Sequence, residues 1–217
     1  MVTTSTDPGG SGLIEPRRYQ GQEGATAASP VHSHLGIAGV TGFLFQDLAA
    51  NPLDYVEGGP LNDRRVYISE FLDATHPDLT AFRKHGGRLI ARVGTNDTLA
   101  SPGSQLDYYQ SLLNRMGREA VDEFARLYVT PMTNHGLGGN NFGVNGAGVA
   151  IPTSAIPSTF NRVQALIDWV EQGVAPGKTS LVTSATRSLP LCSYPAYPRY
   201  LGVGATTDAA SYECAMP

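Results

Sequence analysis

The chain has 217 residues, a formal net charge of −4 and an apolar share of 41%, so it can bury a real globular core. Its mildly acidic balance, with scattered lysines and arginines, argues against nucleic acid as a partner. No apolar run approaches the roughly 18 residues that a membrane span needs, and the N-terminus shows no signal-peptide pattern. We therefore expect neither a nucleic-acid partner nor a membrane partner.

The first part of the chain shows little periodicity. Residues 1–35 are rich in Gly, Pro, Ser and Thr, which predicts an irregular N-terminal arm ahead of one domain spanning 36–217. The apolar run 35–45 contains interspersed glycines and predicts a closely packed helix or strand. Residues 46–66 are expected to be irregular, and 67–72 to form a short helical turn.

Two short apolar runs, 88–93 and 124–129, predict buried strands. Helical spacing and glycine stops predict helices up to Lys84, over 104–116 and over 160–172. Thr75 or Asp78 is the expected cap of the first of these helices. The order strand, helix, strand, helix predicts a right-handed βαβ unit on a parallel sheet, and hence an α/β fold.

Two acid–base candidates follow the predicted strands. Asp97 comes four residues after the run 88–93, and His135 comes six residues after the run 124–129. Because ligands collect beyond the carboxyl ends of parallel strands, the two side chains meet if the strands are neighbours. The carboxylate would then orient the imidazole, as in a Ser-His-Asp triad, and the order Asp before His is that of α/β-hydrolases. The alternative is a turn aspartate and a solvated loop histidine.

The two cysteines, Cys192 and Cys214, both lie near the C-terminus. The segment between them is rich in Pro, Tyr and Gly and is a poor candidate for helix or sheet. A disulfide there would close a loop of about 22 residues and contribute roughly 3 kcal/mol, and two free buried thiols are the alternative. No phosphate loop, metal-spaced Cys/His cluster or Gly-x-Ser-x-Gly motif is evident, so no cofactor and no metal are expected.

Several segments together carry a family resemblance, namely DLTAFRKHGGRLI (78–90), VGTNDTLASP (93–102), FARLYVTPMTNHG (124–136), LIDWVEQGVAP (166–176), LPLCSYP (189–195), YLGVG (200–204) and ASYEC (210–214). The chain resembles the tannase and feruloyl esterase family from about residue 36 to the C-terminus, and it resembles only the C-terminal portion of that family's catalytic domain.

The resemblance implies a partial or reduced α/β-hydrolase sheet with flanking helices and an irregular C-terminal loop closed by a Cys192–Cys214 disulfide. Asp97 matches the family's triad aspartate and His135 its triad histidine. The implied activity is carboxylic ester hydrolysis, acting on esters of aromatic acids. The implied location is secreted or periplasmic.

The chain departs from the family at two points. Gly136 stands where the family has a cysteine after the catalytic histidine, so the disulfide that holds the histidine loop cannot form. The family's serine motif is not recognisable in this chain. The candidate nucleophiles are Ser101, Ser104 and Ser154, with an activated water or a residue from another chain as alternatives.

A truncated sheet has an open edge and exposed apolar surface, so we expect a homo-oligomer formed through that edge. The alternative function is a non-catalytic binding or structural remnant of such a hydrolase, or a truncated fragment of one.

Overall fold

The computed structural model describes residues 36–141, 143–177 and 179–217. The chain divides into two compact units, Met1–Thr75 and His76–Pro217. The predicted arm 1–35 lies outside the described residues, and the division of the chain at residue 35 stays a prediction. No helix in the described ranges combines the length and the apolar character needed to cross a membrane.

The described part of the first unit is helical. A π-helical turn, Gly39–Phe45, is followed by a 3₁₀ turn, Pro52–Asp54, and by helix α1, Asn62–Leu72. The expectation that 46–66 is irregular and that only 67–72 is helical was wrong, because α1 begins at residue 62. Helix α1 buries none of its residues. Its sequence has no apolar stripe of the kind that predicts a helix packed on a core.

The second unit is built around a parallel strand pair. After helix α2, Thr80–Lys84, strand β1, Leu89–Gly94, runs parallel to strand β2, Ala125–Thr130. Their register places Leu89 opposite Ala125 and Gly94 opposite Thr130, so the two strands end at the same level. Both strands and the parallel pairing are as predicted.

Two helices connect β1 to β2. Helix α3, Pro102–Met116, begins two residues earlier than predicted, because Ser101 caps it by accepting a hydrogen bond from the Ser104 amide. Helix α4, Arg118–Asp122, is five residues long and was not predicted. Helix α3 packs on one face of the strand pair, where a buried cluster includes Tyr109, Leu112, Val121, Phe124 and Leu127.

The opposite face of the strand pair is also covered. Helix α5, Arg162–Gln172, places Trp169 against this face, and the guanidinium groups of Arg88 and Arg126 lie 5.8 and 5.2 Å from the indole centroid. Tyr128 of β2 packs there with Val182 and Leu191. Cover on both faces is what a parallel sheet requires.

The C-terminal region contains sheet, and the expectation of an irregular loop there was wrong. Strand β3, Thr179–Thr183, pairs antiparallel with β4, Ser188–Cys192, and β5, Tyr197–Tyr200, pairs antiparallel with β6, Tyr212–Ala215.

Cross-strand contacts explain why the second of these pairs forms despite its proline content. The rings of Tyr200 and Tyr212 lie 5.4 Å apart, and Arg199 pairs with Glu213. Four-residue strands are too short to show the alternation that predicts a strand from sequence. The predicted Cys192–Cys214 disulfide is formed and joins β4 to β6.

Candidate active site

Asp97 lies in the loop that follows β1, where the backbone amides of nearby residues hold its carboxylate. Its Oδ1 accepts hydrogen bonds from the amides of Leu99 (2.9 Å) and Ala100 (3.0 Å). The carboxylate side chain is only 7% exposed. The local sequence produces this arrangement because an aspartate after a strand readily bonds the amides two and three residues on.

His135 meets this carboxylate from the loop after β2. The imidazole Nδ1 lies 2.9 Å from Asp97 Oδ2, while the imidazole side chain is 59% exposed. The contact arises because β1 and β2 end at the same level, so that their following loops emerge side by side. The structure therefore brings the two predicted residues into contact through Nδ1. The other ring nitrogen, Nε2, is not part of this contact.

The charge state of Asp97 determines which ring nitrogen of the neutral His135 imidazole carries the proton. Burial is the largest influence and by itself would raise the pKa of Asp97, but hydrogen bonds from Ala100, Leu99 and His135 outweigh it and hold the pKa below its usual range. The carboxylate is thus ionised at neutral pH and can only accept hydrogen bonds. In the neutral ring Nδ1 therefore donates to Asp97, and Nε2 keeps a free lone pair.

Three contacts join the two loops next to this pair. The Met132 amide donates to Thr95 Oγ1 (2.7 Å), and the Asn96 amide donates to the Thr133 carbonyl (3.0 Å). A Cβ on Gly94 would lie 2.7 Å from the Asn134 carbonyl oxygen and closer still to that of Thr133, so this approach requires glycine. These residues were not singled out from the sequence, although Gly94-Thr95-Asn96 directly precedes Asp97.

The far end of the histidine loop is held by an arginine that was also missed. Arg92 of β1 donates to the Ser158 carbonyl (2.9 Å) and to Thr130 Oγ1 (2.9 Å). Burial, followed by the nearby Arg162, lowers the pKa of Arg92 to about 10, so it stays protonated at neutral pH. An arginine in an apolar strand is the signal that could have found it, since a buried guanidinium needs acceptors.

The three candidate serines take other partners. Ser101 Oγ caps α3, Ser104 lies in the first turn of that helix, and Ser154 is bonded to Asn141. Within the described ranges none of these hydroxyls is hydrogen-bonded to His135. Their assignment as nucleophiles stays a prediction.

The arrangement is a base with its orienting group. An imidazole whose Nδ1 is fixed by a carboxylate can take a proton at Nε2 and later return it. In the part of the chain that the structure describes, no three His, Cys, Asp or Glu side chains are grouped so that they could hold a metal ion.

Comparisons with known proteins place the chain in a family. The sequence model of "Tannase and feruloyl esterase" matches residues 12–215. The chain belongs to the tannase and feruloyl esterase family. An uncharacterised esterase of Agrobacterium fabrum is 30% identical over 224 residues, covering 97% of this chain and 38% of that protein.

Two further matches agree. The mono(2-hydroxyethyl) terephthalate hydrolase of Piscinibacter sakaiensis is 35% identical over 153 residues, covering 66% of this chain and 22% of that protein. The crystal structure of feruloyl esterase B from Aspergillus oryzae superposes with a TM-score of 0.61 at 22% identity, covering 79% of this chain and 35% of that one. This structural likeness shows that the chain shares its fold with part of that esterase.

The chain covers only part of the length of these relatives. It spans 38% of the length of the Agrobacterium relative and 35% of the length of the Aspergillus oryzae structure. The family relationship therefore concerns one part of those longer proteins.

Proposed function

We propose that this chain carries the general base and its orienting carboxylate in a carboxylic ester hydrolase acting on esters of aromatic acids. The observation that carries the proposal is the 2.9 Å contact between His135 Nδ1 and Asp97 Oδ2. His135 Nε2 takes the proton of the nucleophile and then passes it to the leaving alcohol, while Asp97 stabilises the imidazolium that forms between these steps.

The substrate class is inferred from the relatives. The names of the matching Piscinibacter and Aspergillus proteins specify esters of terephthalic and ferulic acid, both of them aromatic acids. The family membership supports ester hydrolysis as the reaction. The disulfide supports an oxidising compartment, so the proposed enzyme is secreted or periplasmic.

The proposal leaves three sources for the nucleophile. These are a serine of this chain, including Ser101, Ser104 and Ser154, a water activated by His135, or a residue of another chain. A water would be slow toward unactivated esters, because it lacks the covalent intermediate that divides the reaction into two easier steps.

Ester hydrolysis by wild type and His135→Ala tests the proposal. The assay uses a short-chain nitrophenyl ester and a nitrophenyl ester of an aromatic acid. Loss of the general base should lower kcat/KM by about 10²- to 10⁴-fold. His85→Ala, which removes an exposed histidine at the end of α2, is the matched control and should retain the wild-type rate. Hydrolysis that is unaffected by His135→Ala would refute the mechanism.

Labelling with a fluorophosphonate, followed by peptide mass spectrometry, identifies the nucleophile. A labelled serine in this chain would name it, and His135-dependent hydrolysis without a label would indicate water. Absence of both label and hydrolysis would support the second candidate, a non-catalytic remnant. That candidate is favoured by one observation, namely that no described serine is hydrogen-bonded to His135.

A further inference from the structure

The turn that carries His135 is closed by the residue before it. The Asn134 amide donates to the Gly138 carbonyl (2.8 Å), and the Asn134 carbonyl accepts from the Leu137 amide (2.8 Å). The side chain adds a third bond, since Asn134 Oδ1 accepts from the Gly138 amide (3.1 Å). Residues 134–138 thus form a small closed loop with His135 inside it.

Apart from these two backbone hydrogen bonds, the residues of the loop restrict its conformation little. Gly136 and Gly138 restrict their dihedral angles little, and Leu137 adopts a left-handed φ of 60°, which is unfavourable for a leucine. Across the described residues, Asn134 supplies the one side chain that hydrogen-bonds to the backbone of 135–138. This side-chain acceptor therefore adds to the two backbone hydrogen bonds that close the turn.

The base of the loop is tied to the loop that carries Asp97. Thr133 is fully buried, and its carbonyl accepts from the Asn96 amide, next to Asp97. One end of the turn is thereby fixed relative to the carboxylate, while at the other end the amide and the carbonyl of Gly138 both bond to Asn134. The imidazole itself is mostly exposed and has few packing contacts to orient it.

We infer that Asn134 is a positioning residue, whose side-chain oxygen holds the turn so that His135 Nδ1 stays on Asp97. In this role Asn134 acts through His135 and does not itself contact a substrate. The structural part of this inference stands without the proposed function, and its effect on catalysis rests on the proposed function.

The test measures the imidazole directly. Long-range ¹H–¹⁵N NMR of the histidine ring distinguishes protonation at Nδ1 from protonation at Nε2, and the wild type should show the Nδ1-protonated tautomer for His135. Asn134→Leu keeps a similar side-chain size but removes the acceptor. It should give averaged ring nitrogen shifts and faster hydrogen exchange at the Gly138 amide, by about five- to tenfold.

Two further variants separate positioning from general damage. Asn134→Asp retains an acceptor oxygen and should restore the wild-type ring shifts. Asn141→Leu removes a similar hydrogen bond elsewhere in the same loop, in which the Asn141 side chain accepts from the Ser154 amide. It should leave the His135 signals unchanged. If Asn134→Leu fails to fold, as judged by circular dichroism, Asn134→Ala, which also lacks the acceptor, provides the same measurement.

The outcomes are distinct. Wild-type His135 shifts in a folded Asn134→Leu or Asn134→Ala protein would overturn the inference. In the ester assay Asn134→Leu should lower kcat about tenfold with little change in KM, and Asn134→Asp should recover it. If the ring shifts change as expected but the wild type hydrolyses no ester, the positioning role stands and the proposed function fails.

Discussion

At the scale of single residues, the two oxygens of Asp97 have separate tasks. Oδ1 takes the amides of Leu99 and Ala100 and shapes the loop, whereas Oδ2 takes the imidazole. Replacing the carboxylate by an amide should therefore leave the loop largely intact. It should disturb the imidazole, because an amide nitrogen facing Nδ1 would favour the other tautomer.

Asp97→Asn should consequently reduce stability in a pH-dependent way. The folded-state pKa of Asp97 is lowered, so its stabilising contribution is present above the unfolded pKa of about 3.9 and is lost as pH falls through the folded value. The stabilities of wild type and variant in urea unfolding should differ most near neutral pH, and the difference should shrink as the pH falls below about 4. Asp107→Asn, at an exposed site on α3, is the control. A stability difference that is constant with pH would contradict the expectation.

The sequence predicted this pair but not its surroundings. Asp97 and His135 could be found because each follows an apolar strand and the two strands end level with each other. Thr95, Thr133 and Asn134 could not be found in this way. Their contacts depend on loop conformation, including left-handed φ angles at Met132 and Leu137 that a non-glycine residue seldom signals.

At the scale of elements, the end of β1 sets how closely the two loops approach each other. Gly94 is the last residue of β1 and faces the carbonyls of Thr133 and Asn134. A side chain there must push the histidine loop outward, because backbone atoms cannot rotate away. The lack of a Cβ at Gly94 therefore allows the histidine loop to lie this close to the end of β1.

Gly94→Ala should destabilise the protein by about 1–3 kcal/mol and lower any His135-dependent activity. Gly103→Ala is the matched control, since a Cβ there meets nothing nearer than Ser101 Oγ at 3.6 Å, within the first turn of α3. This control should be neutral or stabilising by up to about 1 kcal/mol. Chemical denaturation measures both, and equal effects of the two substitutions would show that the close approach does not matter.

The longer elements that bury an apolar face were predicted, whereas the five-residue strands β3 and β4 were missed although they bury Val182 and Leu191. The strands β1 and β2 and the helices α3 and α5 each bury an apolar face, and their bounds were predicted within about two residues. Helix α1 buries nothing, and β5 and β6 are held by cross-strand pairs and a disulfide rather than by a core face. Contacts between distant residues leave no local period in a sequence.

At the scale of the whole molecule, β1 has an open side. Within the described ranges it pairs with β2 alone, in a two-stranded parallel sheet. Helix α5, which packs beside β1, exposes Val163, Ile167 and Val170 at helical spacing, with Val163 70% and Val170 60% exposed. A small sheet with an unprotected edge and an adjacent apolar stripe favours association.

The chain should therefore self-associate in solution. Sedimentation velocity over a range of concentrations should show a species larger than the monomer, and Val163→Lys with Val170→Lys should shift it to monomer without loss of helix content. Glu171→Lys, on the same helix, changes the net charge by the same amount and should leave association unchanged. A wild type that stays monomeric at every concentration would show that this surface does not bind a second copy.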